Sequence, residues 1–75
     1  MVLSDMGEGQ RGTIDHVGGK GALRRRLLEM GIVQGAGVYV EKYAPLKDPL
    51  ELIIKGYHLS LRVEEAAQIR VTDVR

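Results

Sequence analysis

The sequence predicts a small, mainly β fold: an antiparallel barrel of about five strands with one short α-helix docked on it. Three observations carry that prediction. Beyond residue 37 the chain falls into four runs in which apolar and polar residues alternate, the period of a sheet with one buried face. One earlier stretch repeats its apolar residues at helical spacing instead. The chain has only 75 residues and no cysteine, so a single domain over residues 1–75 must close its core with aliphatic side chains and no disulfide staples.

Taken in order, residues 1–10 form a lead in which Val2, Leu3 and Met6 are apolar and Ser4-Asp5 can open a turn ahead of Gly7 and Gly9. Residues 11–17 (RGTIDHV) read as the first strand, with Ile14 and Val17 as its core residues. These two stand three apart, and strict alternation would place them on opposite faces. A bulge is therefore expected between them, with Gly18-Gly19 allowing a sharp bend just beyond. Residues 22–30 (ALRRRLLEM) read as a helix, because Leu23, Leu27 and Met30 recur at i, i+4 and i+7. Gly31 is the expected residue just past its end, and Ile32 the apolar residue that folds back on it. About two and a half turns are too few to be stable alone in water, so the sheet must hold this helix.

In the remaining runs Val38 and Val40 oppose Tyr39, Glu41 and Tyr43, and Leu50, Leu52 and Ile54 oppose Glu51, Ile53 and Lys55. Tyr57, Leu59, Leu61 and Val63 then oppose His58, Ser60 and Arg62, and Ile69 and Val71 oppose Gln68, Arg70 and Thr72. Gly56 suits a tight hairpin between the second and third of these runs, and Glu64 to Ala67 fits a single helical turn. Curling such strands into a barrel removes most exposed edges.

Composition narrows the function. Lysine and arginine number 11 against 10 acids, a net charge of +1, and the aromatics are three tyrosines, which argues against a nucleic-acid binder. No apolar stretch is long enough to span a membrane, and the first ten residues lack the apolar run of a signal peptide, so a cytoplasmic protein without membrane insertion is expected. Gly18-Gly19-Lys20-Gly21 precedes a helix, but Ile14 stands where a phosphate-binding loop needs its first glycine and Gly21 where it needs Ser or Thr. Ser4, Thr13, Ser60 and Thr72 sit in no nucleophile motif, and a barrel this small is filled by its own side chains. The expectation is a non-enzymatic protein without a cofactor.

Two segments stand out as partner surfaces. Arg24, Arg25 and Arg26 step by about 100° each around the helix, so they fan over its outer surface instead of forming one stripe, and Arg25 can pair with Glu29. The segment Ala44-Pro45-Leu46-Lys47-Asp48-Pro49-Leu50 is an apolar loop stiffened by two prolines. His16 and His58 are the only candidate metal ligands among the imidazoles, with Asp15 or Glu64 as possible companions; no spacing ties them to one site, and both read as solvent-facing strand residues.

Three blocks of the sequence resemble the FeoA family of ferrous iron transport. They are Arg25-Arg26-Leu27-Leu28-Glu29-Met30-Gly31-Ile32 followed by Gly35; Ala44-Pro45-Leu46 with Asp48-Pro49-Leu50; and Leu59-Ser60-Leu61-Arg62 followed by Glu65-Ala66 and Ile69-Arg70-Val71. They stand in the family's order and span nearly the whole chain. The resemblance implies an SH3-like barrel and a small cytosolic accessory protein of ferrous iron uptake. It further implies a partner, the FeoB-type membrane transporter with its cytosolic GTP-binding domain. Arg24, Arg25 and Arg26 and the loop residues Leu46, Asp48 and Pro49 are the expected contacts, chosen for exposure and stiffness. Leu27 and Gly31 are assigned to the fold. No residue presents itself as an arginine finger. The alternative is a metal-binding or metal-sensing module related to the C-terminal domain of diphtheria-toxin-repressor-type regulators; the absence of a helix-turn-helix favours a free-standing protein, expected to be a monomer or weak homo-oligomer.

Overall fold

The computed structural model describes residues 1–75. After a 3-10 turn at Leu3–Asp5 the elements are β1 (Arg11–Val17), α1 (Gly21–Glu29), β2 (Gly37–Tyr43), β3 (Leu50–Ile54), β4 (Tyr57–Leu61), α2 (Val63–Ala66) and β5 (Ile69–Thr72). The strands form one antiparallel sheet in the order β4-β3-β2-β1-β5. Sequence neighbours β1 to β4 lie side by side, while β5 returns to the far side of β1. In a flat sheet four gaps would set β4 and β5 about 19 Å apart. β4 and β5 run parallel, so residues 62–68 must also return along about 17 Å of strand to join the end of one to the start of the other. With a helical turn inside, that link reaches only about 21 Å. The sheet is forced to curl, and its inner face closes on a core of 16 buried residues, all of them apolar. The mainly β, SH3-like barrel with a docked helix is the architecture observed.

Both expected irregularities of the first third are present. The β1–β5 register shifts between Ile14 and His16, and this extra residue lets Ile14 and Val17 both reach the core. At the end of α1 the Gly31 N–H donates to the Leu28 carbonyl at 3.0 Å and the Ile32 N–H to the Leu27 carbonyl at 3.1 Å, the paired bonds of a Schellman stop. Gly31 has φ 90°, where a side chain would be strained, and Leu27 and Ile32 are both fully buried. The β3–β4 hairpin turns on Lys55 (φ 54°) and Gly56 (φ 80°), both in the left-handed region that a two-residue type I′ turn requires.

Two expectations are corrected. Tyr43, read as outward-facing, turns inward, because the β2–β3 register shifts between Val40 and Lys42 and reverses the alternation beyond that point. Its hydroxyl donates to the Met6 carbonyl at 2.6 Å and lies 3.2 Å from the Ser4 carbonyl. The residue 1–10 lead is likewise more than an entry to β1: Leu3 and Met6 are fully buried, Val2 bridges to Arg70, and the Val71 N–H donates to the Met1 carbonyl at 2.9 Å. The lead thus covers the outer edge of β5. The outer edge of β4 has no such cover.

Candidate functional site

The largest surface feature is a cleft of about 380 Å³ where three segments meet. Helix α1 supplies Arg26 to its wall and Met30 follows just past the helix end, the proline loop supplies Pro49, and the β4–α2 junction supplies Ser60, Leu61, Arg62 and Glu65. Two carboxylates join these segments. Glu65, the third residue of α2, accepts from the Arg62 N–H at 2.9 Å with one oxygen and forms an ion pair with the Arg26 guanidinium through the other. The first contact satisfies a helix-start N–H that would otherwise lack a partner, and the second ties α2 to α1. Asp48 accepts from the Val63 N–H at 3.1 Å and stands 3.9 Å from the Arg62 guanidinium, so the loop caps α2 from outside its own sequence. Two arginines and two acids balance in charge. Ser60, the one hydroxyl in the lining, makes no hydrogen bond to a base. The arrangement can hold a partner's side chain between a cation and apolar walls; it has no nucleophile–base pair with which to do covalent chemistry.

The expected contact residues separate into different roles. All three arginines are exposed, as a fan on the outer surface requires. Arg24 donates from Nε to the Val17 carbonyl at 3.3 Å and so anchors α1 to the end of β1, and Arg26 is held by Glu65. The expected Arg25–Glu29 pair does not form, which agrees with the weaker orientation of an arginine N-terminal to its acid. Arg25 therefore projects without an ion pair or hydrogen bond. In the loop Leu46 is 90% exposed, Asp48 is spent on α2, and Pro49 forms cleft wall. The cleft brings Arg26 and Pro49 together, while Arg25 and Leu46 stand outside its lining.

His16 and His58 are both exposed, as expected, and lie on β1 and β4 with β2 and β3 between them in the sheet. His58 faces Glu41 at 3.5 Å, and no three of the chain's His, Asp and Glu side chains converge. Met30, Ser60, Leu61, Arg62 and Glu65 are not among the contacts expected from sequence. The one available signal for Glu65 was its position three residues after Arg62, at the start of a helical turn.

Comparison with known proteins decides the family. A family model described as the FeoA domain matches residues 1–73. The chain belongs to the FeoA family. It is 45% identical over 71 residues to a Porphyromonas gingivalis protein described as an Fe(2+) transport protein A/Fe(2+) transporter FeoB fusion, a match covering 95% of this chain and 8% of the fusion. The solution structure of FeoA from Chlorobium tepidum superposes with a TM-score of 0.89 at 41% identity, covering 95% of this chain and 68% of that one. FeoA from Stenotrophomonas maltophilia, described as a procaryotic SH3 domain protein and crystallised with zinc, superposes with a TM-score of 0.88 at 26% identity, covering 100% and 95%. The same fold extends to a manganese-dependent transcriptional repressor at 18% identity and a TM-score of 0.85, covering 95% of this chain and 40% of that one. None of the helices in this chain is long and apolar enough to cross a membrane.

Proposed function

We propose that this FeoA protein is an accessory subunit of ferrous iron transport that docks on the cytosolic GTP-binding part of a FeoB-type transporter. The observation that carries this is the Porphyromonas gingivalis fusion, in which the same domain and FeoB form one polypeptide. Fusion raises the effective concentration of one module at the other, an advantage only where the two engage each other. The surface chemistry suits a docking role: an unpaired Arg25, an exposed Leu46, and a cleft in which Glu65 already holds Arg26.

The test is direct binding to the transporter's cytosolic part, measured with GDP and with a GTP analogue. Reversing all three arginines would be a poor probe, since Arg24 and Arg26 each make a contact within the chain and a glutamate at position 26 would face Glu65. Arg25→Glu and Leu46→Ser change the surface alone, and each is expected to weaken binding about tenfold, equivalent to about 1.4 kcal/mol. Absence of wild-type binding with both nucleotides would overturn the partner; wild-type binding that neither substitution alters would overturn the surface.

A further inference from the structure

We propose that the open edge of β4 is a self-association site, on which a second copy of this chain adds its own β4 antiparallel about a two-fold axis. The two-residue turn at Lys55-Gly56 makes Ile54↔Tyr57 a hydrogen-bonded pair, and with Leu52↔Leu59 and Leu50↔Leu61 these pairs direct their N–H and C=O groups toward β3. The N–H and C=O groups of His58 and Ser60 then point away from the sheet, and neither residue takes part in a turn, loop or cap hydrogen bond. β4 carries none of the usual protections of an edge. It has no proline and no lysine, and its register with β3 is unbroken from end to end. The opposite edge, on β5, is covered by Met1 and Val2.

The sequence Tyr57-His58-Leu59-Ser60-Leu61 is complementary to itself. With Leu59 opposite its own copy, His58 of each chain exchanges two hydrogen bonds with Ser60 of the other, four in all, and the two five-residue strands overlap along their full length. No like charges meet within the paired strands, since the polar residues opposed are a histidine and a serine. Side chains match as well. Tyr57, Leu59 and Leu61 share the core-facing side of the strand, running from Leu61 at 1% exposure through a half-buried Leu59 to Tyr57 at 72%. In this register the exposed Tyr57 of one copy lies opposite Leu61 of the other, where the cleft with Arg26, Met30 and Pro49 opens. A tyrosine seated beside an arginine in a pocket is the kind of contact that dominates interfaces. Five residues a side are few compared with the roughly 20–30 of a stable complex, so the association is weak and reversible.

The absence of cysteine makes the test clean. Leu59 and its copy would form a non-hydrogen-bonded pair with Cα atoms about 4.5 Å apart, inside the roughly 4.4–6.8 Å that a disulfide spans. Under mild oxidation Leu59→Cys is expected to give a disulfide-linked dimer many times faster than Arg25→Cys on the outer surface of α1. Sedimentation of the cysteine-free wild type is expected to show a monomer–dimer equilibrium below about 1 mM. Tyr57→Ser, at an exposed position that the monomer core does not need, is expected to weaken that equilibrium about tenfold. Crosslinking of Leu59→Cys no faster than that of Arg25→Cys would overturn the proposal, as would a wild type that remains monomeric throughout, and neither result bears on binding to a transporter.

Discussion

Tyr43→Phe isolates a single hydroxyl and what it contributes. The phenol lies where the lead crosses the end of β2, and its one proton is directed mainly at the Met6 carbonyl at 2.6 Å, with the Ser4 carbonyl at 3.2 Å as a weaker second acceptor. Phenylalanine keeps the ring and its packing, so no cavity opens, and the loss is that of one part-buried hydrogen bond, about 1 kcal/mol. In a domain of this size that lowers Tm by about 4–8 °C. The pH dependence gives a second, independent reading. Burial, and then the carboxylates of Asp5 and Glu8, push the Tyr43 phenol above its ordinary value of 10.0. Because the folded value is the higher one, folding favours the protonated phenol. That share of stability is fully present below about pH 10 and is lost as pH rises through the folded value. Urea midpoints of wild type and variant, compared at about pH 8 and above pH 10, should therefore differ at the lower pH and converge at the higher. Equal midpoints at pH 8 would refute the hydrogen-bond argument, and a constant gap at both would refute the titration argument.

Two further substitutions probe the turns. Gly31→Ala meets no neighbouring atom but must hold φ at 90°, so it should cost about 1–2 kcal/mol by denaturant unfolding, entirely through the backbone. Lys55→Asn places the preferred residue at the first left-handed position of the β3–β4 turn (φ 54°) and should raise stability by about 0.5 kcal/mol, measured the same way.

How much of this could be read from the chain depends on the range over which each feature is determined. The bulge in β1 was legible because Ile14 and Val17 cannot both be buried at a spacing of three without it, and the end of α1 because Gly31 and Ile32 are local signals. The shift in β2 was not, since the extra residue beyond Val40 involves no glycine or proline and shows only against β3. Leu3 and Met6 belong to a segment too short to display a period, and only the closed barrel reveals them as core. The cleft was the least legible part. It depends on Glu65 reaching Arg26 and Asp48 reaching Val63, contacts between residues 39 and 15 positions apart, and nothing in the local sequence pairs them. Asp48 drew notice as an exposed loop contact and not as the cap of α2, and Glu65 only as part of a sequence block.

The two proposed associations converge on the same ground. Tyr57 of a second copy would occupy the margin of the cleft bounded by Arg26 and Pro49, and a transporter docking on α1 and the proline loop would cover that cleft. The two modes exclude one another, and concentration then decides between them. A domain tethered to its partner meets it at an effective concentration in the millimolar range for a short flexible link, so a weak five-residue strand pairing cannot compete. A chain that is not tethered has no such advantage, and its open edge becomes a reservoir: self-paired when the transporter is scarce, released as the transporter occupies the cleft. On this account the small barrel keeps β4 uncovered for a reason, because an edge sealed like that of β5 would leave the free chain with no second state.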